Sequence, residues 1–123
     1  MRYIIGKTIV WLSVVLVFHS IAFASSDEKD WSSWQCVYGV TTGGGIDLRY
    51  RREGGAWVSW DWQFRNRYNQ PVIVRFSRLN GKGERLKNWV PIKPQSLSTP
   101  DTNMSGEIKP DVEIIQVEFQ KNR

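Results

Sequence analysis

The chain has one cysteine and one histidine in 123 residues, and these two shortages exclude much of the chemistry open to a small protein. A lone thiol, Cys36, cannot form an intrachain disulfide, and its expected role is that of a small buried hydrophobe. The lone histidine, His19, lies in an N-terminal segment read below as a removable leader. Without it no Ser-His or Cys-His couple can be assembled, and a tetrahedral zinc site lacks ligands. No metal and no cofactor are expected. Beyond the leader there is also no helical stripe, no internal repeat, no basic tail and no long charge run, so nucleic acid is not an expected partner.

What is present begins with an export signal, helical in its apolar part. Arg2 and Lys7 form a positive start, Ile9 to Phe18 an apolar middle, and Ala22-Phe23-Ala24 a small-x-small cleavage site before the polar Ser25-Ser26-Asp27-Glu28. A run of this kind also has nearly the length of a membrane span, but His19 and the Ala-x-Ala ending favour cleavage after Ala24. The expected product is secreted or periplasmic, with no membrane association once the leader is gone. The whole chain carries 17 Lys and Arg against 12 Asp and Glu, and losing Arg2 and Lys7 leaves 15 against 12, a net charge of about +3.

Residues 25–33 read as a flexible polar lead-in, and 34–123 as one domain. Its pattern has period two, which argues for antiparallel strands. Trp34, Cys36, Tyr38 and Val40 alternate with polar or small residues. Ile46, Leu48 and Tyr50 do the same, as do Val58, Trp60, Trp62 and Phe64. Val72, Val74 and Phe76 follow, then a weaker run Leu86, Asn88, Val90 and Ile92, and finally Ile115, Val117 and Phe119. Six short strands with one apolar face each predict a small two-sheet β-sandwich. Residues 93–110 contain Pro94, Pro100 and Pro110 and break the pattern. A long excursion is expected there, with at most one short edge strand near Ser105–Ile108.

One hairpin can be read to the register. Core positions are even-numbered on both sides of Glu53-Gly54-Gly55, so paired residue numbers must sum to an even value. A three-residue loop with Gly55 left-handed then pairs Arg52 with Ala56, Tyr50 with Val58, Leu48 with Trp60 and Ile46 with Trp62. In that register Arg51 faces Trp57 on the wet side, and Asp47 faces Asp61. Two facing carboxylates can share a proton and act as acid and base, although Arg49 and Arg65 on the same surface would neutralise them.

The remaining candidates are surfaces. Trp60, Trp62 and Trp34 share the core parity, whereas Trp57 and Trp89 do not and Trp31 lies in the lead-in. Arg49, Arg51, Arg65 and Arg75 point outward on three consecutive strands, with Arg67 just beyond. If those strands are neighbours they form a basic stripe beside Trp57, suited to carboxylated, sulfated or phosphorylated partners. The plain alternative is that these arginines block edge pairing and keep the protein soluble. Gly43-Gly44-Gly45 lacks the following helix of a phosphate cradle and reads as a strand connector. Asn103-Met104-Ser105 matches a glycosylation acceptor, which matters only in a host with that machinery.

The segment Trp60-x-Trp62-x-Phe64-x-Asn66-x-Tyr68-x-x-Pro71-Val72-x-Val74-x-Phe76 resembles immunoglobulin-like and fibronectin-III-like sandwich modules of exported bacterial proteins, and Ile115–Phe119 resembles their last strand. The immunoglobulin Cys…Trp…Cys framework is absent. The resemblance implies a packing plan and no chemistry. The expected function is a non-catalytic binding module that recognises a protein or an anionic glycan through Arg49, Arg51, Trp57, Arg65 and Arg75. An inhibitor or immunity protein acting through the 94–107 loop is the alternative, and a small carboxylate-dependent hydrolase stands last. Composition does not set the oligomeric state.

Overall fold

The alternation becomes two antiparallel sheets. The computed structural model describes residues 30–54, 58–103 and 108–121; the leader with its cleavage site and Trp57 lie outside them. The strands are β1 (Gln35–Gly39), β2 (Gly45–Glu53), β3 (Ser59–Asn66), β4 (Val72–Leu79), β5 (Arg85–Ile92), β6 (Ser96–Leu97), β7 (Asp101–Asn103) and β8 (Glu113–Phe119). One sheet runs β1-β2-β3, with β6 and β7 both on the far edge of β3; the other runs β5-β4-β8.

The buried apolar residues come from both sheets: Ile46, Leu48, Trp62 and Phe64 from the first, Val72, Val74, Phe76, Ile92 and Val117 from the second. Each such side chain contributes about 1.5–3 kcal/mol when fully buried. The aromatic rings meet edge-on or tilted, with centroids 6.3 Å apart for Trp62–Phe76 and 5.1 Å for Phe64–Phe76, the arrangements their quadrupoles favour. Trp60 is half-buried and stands perpendicular to Tyr50 at 6.4 Å.

The parity argument holds for β2 and β3, but the register differs. Ile46 pairs with Asn66, Tyr50 with Trp62, Arg51 with Asp61 and Glu53 with Ser59. Both registers keep even numbers opposite even numbers, so the burial pattern cannot separate them. The connection is the longer 54–58 in place of a three-residue turn. Two further corrections follow from bulges. The β1–β2 ladder shifts between Cys36 and Tyr38, so Val37 packs on the core while Trp34 and Cys36 belong to the outer face. The β4–β8 ladder shifts between Arg75 and Phe76, which brings Ile114 to the core and leaves Ile115 exposed. An extra residue in one strand reverses the parity of everything beyond it.

The proline-rich segment is not a protruding loop over its described part. Leu97 pairs with Arg65, and Asp101 with Trp62. Between them Ser98 donates its N–H to the Phe64 carbonyl at 2.9 Å and accepts the Phe64 N–H on its hydroxyl at 2.9 Å. A serine side chain thus replaces one rung of the ladder. Residues 104–107 lie outside the described residues, and with them most of the edge strand expected near Ser105–Ile108. Asn103 is buried and donates its side-chain amide to the Leu79 carbonyl at 3.2 Å, so the sequon asparagine is a packing residue.

The crossing from one sheet to the other depends on Asn66, which is fully buried. Its amide donates to the carbonyls of Gln70 and Lys93 at 2.9 and 3.0 Å, and its oxygen accepts the Tyr68 N–H at 2.9 Å. This Asx turn holds the chain as it leaves β3. Gly44 packs so closely under the Tyr68 ring that any Cβ there would collide with it, which explains a glycine in the β1–β2 connection.

Tyr50 ties the first sheet to the approach of β8, because its hydroxyl accepts the Val112 N–H at 2.8 Å. Burial raises the Tyr50 pKa above 10.0, with the Val112 hydrogen bond opposing. The unfolded chain therefore loses this proton first, so stability is full below about pH 10 and falls as pH rises toward the folded value. Tyr50→Phe should cost about 1–3 kcal/mol at neutral pH by orphaning that N–H. It should also flatten the alkaline limb of a urea-midpoint-against-pH curve; an unchanged limb would assign that limb to other groups.

Candidate functional site

The outer face of the first sheet carries three of the five residues expected to bind a ligand, and all three are engaged within the protein. Arg51 donates through Nε and Nη2 to Asp61 at 3.0 and 2.8 Å, while Thr102 donates its hydroxyl to the other oxygen of that carboxylate at 2.8 Å. Arg65 reaches Asp47 at 2.8 Å, and Arg67 reaches the same carboxylate at 2.7 and 3.1 Å. Arg49 donates twice to the Gln63 side-chain oxygen, at 3.0 and 2.7 Å, and Gln63 passes its own amide hydrogen to the Ser98 carbonyl at 2.8 Å.

Trp31 and Trp34 lie over these guanidinium groups. Arg49 sits 4.5 Å from the Trp31 ring and 4.3 Å from Trp34; Arg51 is 4.4 Å from Trp31 and Arg65 is 4.6 Å from Trp34. Rings and guanidinium planes alternate in one row, each contact attractive through the ring quadrupole. The lead-in therefore docks from Trp31 onward. Trp31 bridges to Arg51, and Ser32 exchanges two hydrogen bonds with Tyr50, at 2.8 and 2.9 Å. Arg49 retains 5% of its surface as a result. This row is a half-buried layer whose groups bond one another, with Arg49 its most buried member.

Asp47 and Asp61 do not face each other. Each stands opposite an arginine, Arg65 and Arg51 respectively, so the expected acid–base pair has no geometry. Arg67 closes the same network: it donates to the carbonyls of Val40, at 2.6 Å, and Gly43, and lies 3.5 Å from the Cys36 sulfur. Its hydrogen bonds to Asp47 raise its pKa above the ordinary value. Cys36 is accordingly half-buried beside a cation, not an apolar core residue.

Arg75 belongs elsewhere, because β4 lies in the second sheet. The expected stripe over neighbouring strands is divided between two faces of the molecule. On the second face Arg75 pairs across strands with Trp89, and Trp89 is 61% exposed, the most exposed large hydrophobic residue among those described. Lys87, two residues before Trp89, shares its side of β5 and makes no ion pair among the described residues. Arg75 has only a 3.3 Å contact with Glu118, both side chains nearly half exposed, the kind of pair worth about 0–1 kcal/mol and easily exchanged for another anion. Arg75, Lys87, Asn88, Trp89 and the bulged Ile115 line a shallow depression of about 290 Å³.

Sequence parity singled out Trp89 and Arg75, and it would have found Lys87 had the β5 run been read for its polar side. Ile115 was hidden by the bulge. No family model, curated protein or solved structure matches this chain. Among the described residues no cluster of His, Cys, Asp or Glu is arranged to hold a metal ion.

Proposed function

We propose that this protein is exported, loses its leader after Ala24, and acts as a non-catalytic immunoglobulin-like binding module that captures an anionic glycan through the outer face of β5 and β4. The observation that carries this reading is Trp89: an indole 61% exposed at the centre of a strand, with two cations beside it. A flat aromatic surface takes the C–H face of a sugar ring, and Arg75 and Lys87 supply charge for its carboxylate or sulfate. The edge of β5 is less suited to adding a peptide strand, since Pro91 and the flanking lysine are residues that blunt exposed edges. The inhibitor alternative is less well supported, because over its described part, 94–103, the segment runs along β3 through β6 and β7.

The test is affinity electrophoresis through gels containing heparin, hyaluronan or polygalacturonate, at low and high salt. The protein should be retarded by at least one polymer, and less so as salt screens the contact. Trp89→Ala should abolish retardation and Lys87→Glu should reduce it severalfold, with the circular dichroism spectrum unchanged. Equal retardation of wild type and Trp89→Ala would remove the site from this face.

A further inference from the structure

Trp89 borders a second hollow as well. Because β5 is the edge strand of its sheet, the indole also forms one wall of a groove of about 250 Å³ between the two sheets, lined further by Val90, Thr99, Pro100 and Asp101, with Trp62 at its inner end. The polar groups of this groove differ in sign from those of the first depression. Asp101 is exposed; one of its oxygens accepts the Thr102 N–H at 2.9 Å, and the side chain makes no ion pair among the described residues. Cations therefore lie on one side of Trp89, and the Asp101 carboxylate with the Thr99 hydroxyl on the other.

From this polarity we infer that the ligand is an acidic heteropolysaccharide in which a carboxylate-bearing ring adjoins a neutral one. The inference rests on the glycan reading of Trp89 and names the substrate class. The acidic ring sits against Arg75 and Lys87. The neutral ring enters the groove, where its hydroxyl hydrogens are donated to Asp101 and one of its oxygens accepts from the Thr99 hydroxyl. A groove of this size has room for one hexose. A homopolymer of uronic acid would place its second carboxylate beside Asp101 in a partly dehydrated groove, where like charges repel. The site thus selects against the more densely charged polymer, the reverse of what simple attraction to two cations would give.

Isothermal titration of the full mature chain with hyaluronan, an alternating acidic and neutral polymer, and with polygalacturonate, an acidic homopolymer, decides the matter. Wild type should bind hyaluronan about tenfold more tightly per disaccharide, a difference of about 1.4 kcal/mol. Asp101→Asn keeps the oxygen that accepts the Thr102 N–H, so it should fold normally; it should strengthen polygalacturonate binding and bring the ratio to within about twofold. Thr99→Tyr, which fills the groove, should lower hyaluronan affinity to the polygalacturonate level. Equal wild-type affinities, or a ratio that Asp101→Asn leaves in place, would overturn the groove assignment while the Trp89 site stands. Binding of neither polymer, with Trp89→Ala indistinguishable from wild type, would overturn the glycan reading itself.

Discussion

Asp47→Ala should lower the thermal midpoint by roughly 8–24 °C, a large effect for a single polar position. Asp47 is 3% exposed and is the shared counter-ion of Arg65 and Arg67. Asp47 is buried but Arg65 and Arg67 keep 37% and 18% of their side-chain surface, so stranding them costs about 2–3 kcal/mol, less than breaking a fully buried pair, against a total stability of about 5–15 kcal/mol for a small domain; in a domain of this size each kcal/mol shifts the midpoint by about 4–8 °C. Here two guanidinium groups lose their partner at once. The damage should spread to the β1–β2 connection, because Arg67 also holds the Val40 and Gly43 carbonyls. Replacing Arg67 by Met in the same chain should recover part of the loss, since one of the stranded charges is then gone. A midpoint within about 3 °C of wild type would show that the carboxylate is not the keystone of this face.

The second large effect concerns the row of rings and guanidinium groups. Trp31→Ala together with Trp34→Ala removes four cation–π contacts, each worth about 0.5–2 kcal/mol depending on its exposure. The double variant should be about 2–4 kcal/mol less stable in urea titration. Its retardation in glycan-containing gels should nonetheless equal that of wild type once the measurement is made where both are folded. Loss of binding with the fold intact would return the site to Arg49, Arg51 and Arg65, and would displace the reading centred on Trp89.

The sequence and the structure agree where a claim depends on alternation alone. Ile46, Leu48, Trp62, Phe64, Val72, Val74 and Phe76 are all buried, and their even numbering shows it in advance. Register is a different quantity. A turn of three residues and one of five both keep even opposite even, so hydrophobicity could not choose between them, and the choice decided whether Asp47 met Asp61 or Arg65. Bulges are a second blind spot: the extra residue at Val37 sends Trp34 outward, and the one at Ile115 adds an aliphatic side chain to the exposed face. The Trp31-Ser32-Ser33 end of the lead-in looked like loose chain because its partners, Arg49, Tyr50 and Arg51, are distant in sequence. Trp89, by contrast, was legible as exposed, since its strand is regular and lies at an edge. Asp101 enters the candidate site only through the pairing of β7 with β3, which no local pattern in a proline-rich stretch announces.

The layer of arginines, carboxylates and tryptophans on the first sheet has a consequence for how this protein can change. β3 is packed on both faces and bonded along both edges, so substitutions in it are confined from every side. On the outward side of β5, Arg85 holds Ser77 and Asp111, but the exposed Lys87 and Trp89 side chains make no hydrogen bond or ion pair among the described residues. Variation is therefore cheap where the proposed ligand is met and costly where the fold is held. Substitutions at positions 87, 89 and 101 can thus reshape the proposed ligand site without reopening the question of whether the chain folds.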